Sequence, residues 1–103
     1  MKSYELKDGD YTVILPFMLN ELKLSGAALI IYAKIYGFSH SGKGCYTGGN
    51  EYLAAWAGCS ERQARNIIDR FEEKKRVRII KRPGKTDIIT CLDPGKKFRR
   101  YYI

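Results

Sequence analysis

The chain has 103 residues, of which 45% are hydrophobic, 13% aromatic and 29% charged. This size and composition predict one small domain with a single modest core, whereas two domains, a large enzyme or a disordered chain fit poorly. The longest uncharged apolar stretch, Ala27 to Ala33, is far shorter than the roughly 20 residues of a membrane span. Because Met1 to Glu5 also does not open a signal peptide, we expect a cytoplasmic protein without membrane contacts.

The charge is distributed unevenly along the chain. The formal net charge is +8, from 19 Lys+Arg and 11 Asp+Glu. Residues 1–60 contain five lysines and five acids, so the whole surplus and every arginine lie in residues 61–103. Such segregation favours one face that binds a polyanion, because arginine forks match phosphates and guanine edges. The alternative is an ordinary solvated basic surface.

Residues that could hold a metal, a phosphate or a catalytic group do not form a recognisable pattern. Cys45, Cys59 and Cys91 are odd in number and far apart, and the single histidine, His40, lies outside any zinc-type spacing. We expect reduced, partly buried cysteines and no metal site. The glycine-rich stretch 41–49 lacks the Gly-Lys-Ser/Thr ending of a phosphate-binding loop. No nucleophile, base and orienting group can be assembled, so we expect neither an enzyme nor a bound cofactor.

The first half of the chain predicts a scaffold built around one buried helix. Residues 11–15 are β-prone and end at Pro16, which suits the first turn of a short helix over residues 17–22. Ser25 is placed to cap a second helix, and residues 27–36 are apolar on nearly every side, as in a helix packed all round. Residues 37–49 are predicted to be a loop in which residues 45–47 form a short pairing strand.

The stretch from Asn50 onward predicts two helices joined by a tight turn. Residues 50–57 form the first helix, Gly58 can adopt the left-handed conformation that ends it, and Ser60 can cap the next. At about 100° per residue, one face of that next helix is apolar and the other is polar. The apolar face carries Ala64, Ile67, Ile68 and Phe71, and the polar face carries Arg62, Gln63, Arg65, Asn66, Asp69 and Arg70.

This segment resembles a helix-turn-helix, with small Ala54 letting the two helices approach. The alternative is a pair of amphipathic helices that meet at a glycine for packing alone. Two β-branched runs, residues 76–81 and 86–92, then flank Arg82-Pro83-Gly84-Lys85, which matches a type II turn. A basic hairpin after such a helix resembles the wing of a winged helix; the alternative is a hairpin that merely covers the core.

Further motifs resemble the winged helix-turn-helix domains of phage and plasmid replication-initiation proteins, related in shape to those of DnaD-type primosomal proteins. They are Pro16-Phe17-Met18-Leu19, Leu24-Ser25-Gly26, residues 29–39, Tyr46-Thr47-Gly48-Gly49 and residues 52–56. The resemblance implies an α+β winged helix-turn-helix with a three-helix core, an extra short N-terminal helix and a C-terminal β-hairpin wing. It also implies origin or operator DNA binding by a single domain, residues 1–103. Its core is residues 10–92, and a basic-aromatic tail follows at residues 93–103.

On this interpretation the helix after Ser60 enters the major groove of double-stranded DNA. Arg62 is the first choice for a bidentate contact to guanine, and Gln63 or Asn66 could read adenine. Ser60 and nearby amides would bind a phosphate, while Glu61 either accepts from cytosine or favours the helix N-terminus electrostatically. The remaining expected contacts are to phosphates, or to the minor groove from the wing; they involve Arg65, Arg70, Lys81, Arg82 and Lys85. Asp69, Glu72 and Glu73 predict that the C-terminal part of the helix leaves the DNA.

Several alternatives concern the biological role. Transcriptional control would use the same interface as replication initiation. A protein-interaction or dimerisation module of a replication assembly is a different class, in which a homodimer or replication proteins would be the partners. The tail could add DNA contacts, form a subunit interface or simply fray. RNA binding is disfavoured because no aromatic-studded sheet motif for stacking bases occurs in the sequence.

Overall fold

The computed structural model describes residues 12–40 and 44–92. Four helices precede an antiparallel hairpin: α1 (Pro16–Asn20), α2 (Gly26–Ser39), α3 (Asn50–Ala57), α4 (Glu61–Glu73), β1 (Val77–Ile80) and β2 (Ile88–Cys91). The predicted fold class is therefore confirmed as an α+β winged helix-turn-helix. The tail at residues 93–103 and residue 11 lie outside the described part.

The N-terminal approach to the core differs from the prediction. Residues 12–15 form no strand and are followed directly by α1, which begins at Pro16 and ends at Asn20, two residues before the predicted end. Phe17 and Met18 are buried, whereas Leu19 remains 47% exposed. One turn of helix is enough to insert the Phe17 and Met18 side chains into the core, and the chain then turns toward α2.

Helix α2 is the centre of the core, as predicted, and five consecutive residues from Ile31 to Ile35 are buried. Its predicted end at Tyr36 was wrong, because the helix continues through Gly37 to Ser39. Ring contacts made by this last turn explain the extension: Tyr36 stacks on His40 at 4.1 Å, and Phe38 packs against Tyr46 at 5.2 Å. Packing here outweighs the low helix propensity of one glycine. Ser25 occupies the N-cap position without a side-chain hydrogen bond.

The core joins all four helices to the hairpin. Its fully buried side chains include Phe17, Tyr32, Tyr46, Leu53 and Val77. The Cys91 thiol donates to the Tyr32 hydroxyl at 3.2 Å, and burial, followed by this contact, raises the pKa of Tyr32 well above its ordinary value. The Tyr32 hydroxyl therefore remains protonated, and both side chains serve as packing residues. The three cysteines are free, as expected.

The hairpin is joined to the helices through a third extended segment. Tyr46 exchanges two backbone hydrogen bonds with Ile89, at 2.7 and 2.9 Å, on the edge of β2 that β1 does not occupy. The pairing predicted for residues 45–47 is thus confirmed as a single bridge. Farther along, the Thr86 hydroxyl donates to the Thr47 carbonyl and connects the wing to the same segment. These bonds position the wing next to the helices.

Lys34 is the single charged residue of α2, and it is only 8% exposed. Its ammonium lies 3.8 Å from the centroid of the Trp56 ring and 5.6 Å from that of Tyr52. A cation over an aromatic face recovers part of the hydration energy that burial removes. Lys34 therefore helps to attach α3 to the central helix and takes no place in the basic surface.

No helix within residues 12–40 and 44–92 combines the length and the apolar character needed to cross a membrane.

Candidate nucleic-acid interface

The turn between α3 and α4 has the predicted geometry. Gly58 is left-handed, with φ 69° and ψ 33°, and its N–H donates to the Ala54 carbonyl. The Cys59 N–H reaches the same carbonyl at 3.1 Å, and burial raises the pKa of the Cys59 thiol. Ala54 and Ala64 are both buried, so the two helices meet through small side chains. The polar face of α4 is thereby held outward.

The glycine that makes this turn offers a stability test. We expect Gly58→Ala to lower the free energy of unfolding by about 1–2 kcal/mol, because alanine is strained at positive φ although nothing lies near its added methyl. Gly37→Ala is the matched control. This glycine lies inside α2 without positive φ and with open space at Cβ, so alanine should stabilise by about 0.5–1 kcal/mol. Urea denaturation measures both free-energy changes. If both variants were stabilised, or both destabilised, the turn geometry would be contradicted.

A capping box closes the N-terminus of α4. The Gln63 N–H donates to the Ser60 Oγ at 3.1 Å, and the Ser60 N–H donates to the Gln63 Oε1 at 3.0 Å. Because Ser60 and Gln63 are joined in this way, their side chains are held against the helix end. The N–H groups of Glu61 and Arg62 remain at this end for an anion. Gln63 could contact a base through its Nε2 while its Oε1 stays in the box. A contact that also uses the Oε1 would require the side-chain amide to leave the box.

The outward face of α4 presents Arg62 and Asn66 to solvent, one turn apart. Both are exposed, as are Arg65, Asp69 and Arg70. Arg62, Arg65 and Arg70 make no ion pair or side-chain hydrogen bond with any residue in the described ranges. Their guanidinium groups are thus available for an external anion. Asp69 and Glu73 occupy the same face toward the C-terminus, where negative charge disfavours nucleic acid.

A groove of about 200 Å³ separates α4 from the wing. Arg65 lines one side and Lys85 the other, and the carboxylates of Glu61 and Asp87 lie in the same groove. The structure thus joins the helix and the hairpin into one edge, which the sequence predicted only as two separate basic regions, and both cations and carboxylates line its groove. Asp87 was not among the predicted site residues, and it moderates the positive charge of this edge.

The three wing cations predicted to contact DNA are in different situations. Lys81 forms an ion pair with Asp87, with 3.1 Å between Nζ and Oδ2. Arg82 is half-buried, and its Nε donates to the Thr86 carbonyl at 2.9 Å. Lys85 is exposed and makes no ion pair or side-chain hydrogen bond with another described residue. The turn itself matches type II geometry, since the Lys85 N–H donates to the Arg82 carbonyl and Gly84 has φ 70°.

A second groove, of about 320 Å³, lies on the other side of α4. Arg70 faces this groove together with Lys23, Lys74 and Arg76, while apolar side chains form its floor. The structure therefore separates Arg70 from Arg65, although the sequence predicts phosphate contacts for both. The sequence did not indicate Lys23 as a contact residue, because it lies 38 residues before the arginine-rich part of the chain, which begins at residue 61. Only the packing of the α1–α2 connection against α4 brings it there.

Elsewhere in the described part of the chain, no three His, Cys, Asp or Glu side chains are grouped as metal ligands would be. Comparison with known proteins gives one result. The family model described as "Helix-turn-helix domain" matches residues 22–75, from the end of the α1 turn to just beyond α4. No curated protein and no solved structure matches the chain. The match covers just over half of the sequence and includes both helices of the turn motif.

Proposed function

Because the chain belongs to the helix-turn-helix domain family, we propose that it binds double-stranded DNA sequence-specifically, with α4 in the major groove. The observation that carries this proposal is the outward face of α4. It presents Arg62 and Asn66, which make no side-chain hydrogen bond with another described residue, between two grooves that each contain cations, while its opposite face is buried in the core. A helix of about 10–12 Å diameter fits the major groove, which is about 12 Å wide.

Each predicted contact residue has a role that its position supports. Arg62 would donate two hydrogen bonds to the N7 and O6 atoms of a guanine, and Asn66, one turn on, would read adenine. Arg65 and Lys85 would hold a phosphate in the groove between α4 and the wing. The N-terminal amides of α4 would bind another phosphate, where the helix dipole also favours an anion. In this proposal the protein binds DNA without catalysis or a cofactor.

The biological setting that we propose is initiation of replication in a phage or plasmid. Its support is the resemblance of the sequence to winged helix-turn-helix domains of replication-initiation and DnaD-type proteins, which extends over residues 10–92. The same interface would serve a transcriptional regulator, and a homodimer would then bind two half-sites. Preferred binding to origin DNA would favour replication initiation over transcriptional regulation.

Selection of bound sequences from a pool of random duplexes tests the proposed activity. We expect enrichment of one short site that contains a G·C pair read by Arg62. Light scattering on the same preparation gives the oligomeric state and hence the number of half-sites to look for. Recovery of unenriched random sequence would contradict sequence-specific binding, and protein self-association without any retained duplex would favour an interaction module.

The Lys81–Asp87 ion pair leads to a prediction about the wing. We expect Lys85→Ala to weaken binding to every duplex. It removes a cation that forms no ion pair with another described residue and that would contact a phosphate. Lys81→Ala should weaken binding less, because Asp87 already neutralises Lys81. Asp87→Asn should strengthen binding severalfold, since it releases Lys81 and removes a carboxylate from the groove. Fluorescence anisotropy with random duplex measures all three; a larger loss for Lys81→Ala than for Lys85→Ala would contradict this arrangement.

A further inference from the structure

The groove between α4 and the α1–α2 connection concentrates positive charge. Lys23, Arg70, Lys74 and Arg76 line it, and none of its lining residues is acidic. The groove on the wing side, by contrast, contains Glu61 and Asp87. Like charges brought together without a counterion repel one another, and none of the described residues that line this groove supplies a carboxylate to relieve the repulsion. A bound anion would relieve it.

The cations of this groove are not engaged within the described part of the protein. Lys23, Arg70 and Lys74 are exposed, and their side chains form no ion pair or hydrogen bond with another described residue. Arg76 is half-buried, and its Nη1 is enclosed without an acceptor among the described residues. Lys23 is also held at φ 57°, a conformation that is unfavourable for a residue with a side chain. The backbone here is fixed by a 3.0 Å bond from the Leu24 N–H to the Met18 carbonyl.

The position of the groove around α4 indicates what the anion is. At about 100° per residue, Arg65 and Arg70 lie about 140° apart around the helix axis. Arg62 lies between them, about 60° from Arg65 and about 80° from Arg70. The residue expected to read bases is thus flanked on each side by a groove that contains cations, Arg65 and Lys85 on one side and Lys23, Arg70 and Lys74 on the other. A helix inserted in a major groove has the phosphates of one strand on one flank and those of the other strand on the opposite flank.

Resting on the proposed function, we infer that Lys23, Arg70 and Lys74 form a second binding site for the DNA backbone, in which each lysine neutralises its own phosphate. It contacts the DNA strand opposite to the one held by Arg65 and Lys85. The two sites would clamp α4 in the groove and fix its rotation, so that Arg62 points at base edges. Lys23 lies outside the turn motif itself, and the α1–α2 connection would thereby become part of the DNA-binding surface.

Charge-neutral substitutions test this inference. We expect Lys23→Gln and Lys74→Gln each to make the slope of log K against log[salt] less steep by about 0.9, and the double variant by about 1.8. Lys75→Gln is the matched control, since it removes the same charge from the neighbouring residue, which does not line the groove. Its slope should stay close to that of the unaltered protein.

Duplexes with uncharged methylphosphonate linkages on one strand at a time assign the strands. The Lys23→Gln/Lys74→Gln double variant should lose sensitivity to neutralisation of one strand, and Lys85→Gln to neutralisation of the other. If Lys85→Gln changes the slope while Lys23→Gln and Lys74→Gln behave like Lys75→Gln, the second site is wrong and the proposed function stands. Loss of sensitivity on the same strand also overturns the inference. Absence of duplex binding by the unaltered protein would contradict both the second site and the proposed function.

Discussion

Arg62→Ala is expected to reduce affinity for the selected DNA site by about 1–3 kcal/mol, a loss of roughly fivefold to 150-fold. Binding to random duplex should change much less, because the bidentate contact to guanine exists only at the correct base pair. The side chain is exposed and makes no bond within the described protein, so the folded state should be almost unaffected. Competition binding between selected and random duplexes measures the difference.

Arg62→Lys separates charge from geometry in the same experiment. Lysine retains the positive charge but lacks the planar fork that matches the guanine edge. We therefore expect the lysine variant to lose most of the sequence preference while its salt dependence stays unchanged. Equal losses on selected and random DNA for Arg62→Ala would exclude Arg62 as a reader of bases. Asn66→Ala would then be the next variant to examine on α4.

The largest stability effect is expected from Leu53→Ala. Leu53 is fully buried in α3, where it joins the turn motif to the core. Truncation removes apolar contacts and leaves a cavity, which together cost about 2–5 kcal/mol. For a domain of this size such a loss is a large part of the total stability. Urea denaturation should show a lower midpoint with an unchanged slope.

Leu19→Ala is the control for the same chemical change. Leu19 is 47% exposed on α1, so the free energy of unfolding should fall by about 1 kcal/mol or less. The folded fraction of the Leu53→Ala variant should still bind DNA, since no surface group has changed. Similar destabilisation by both variants would mean that α3 does not anchor the motif to the core.

Local chemistry explains which parts of the fold the sequence predicted well. The bounds of α3, the left-handed Gly58 and the cap at Ser60 depend on neighbouring residues, and all three were correct. Pro83-Gly84 likewise specifies its turn through backbone preferences. The apolar face of α4 follows from helical periodicity, and Ala64, Ile68 and Phe71 are buried as expected. The winged helix-turn-helix class follows from the order of these features along the chain, in which two helices joined by the Gly58 turn precede the hairpin with the Pro83-Gly84 turn.

Features that depend on contacts distant in sequence were not predictable in the same way. The continuation of α2 past Gly37 depends on rings from later segments, including Tyr46. The burial of Lys34 depends on Trp56, which comes more than 20 residues later in the chain and covers its ammonium group. The DNA-contact residues remain predictions, but the structure groups them differently: Arg65 lies with Lys85, and Arg70 lies with Lys23. Charge counting along the chain cannot show such a division.

The register of the hairpin determines which cations of the wing are free of an ion pair. The ladder pairs Val77 with Cys91 and Ile79 with Ile89. A shift by one residue would place buried Ile89 opposite exposed Arg78, so the apolar face selects the observed pairing. In this register Asp87 lies across from Lys81 and pairs with it. Either Ile88 or Ile89 could face inward on sequence grounds, and therefore the loss of Lys81 as a free cation could not be foreseen.

The dependence of duplex binding on salt tests the central claim most directly. If five or six phosphates are neutralised by α4, the wing and the second groove, log K for the selected site should fall with log[salt] with a slope of roughly −5. Equilibrium titrations of the intact chain at several salt concentrations give this slope. A slope near zero, or no binding to any duplex at low salt, would contradict the assignment of this basic surface to DNA.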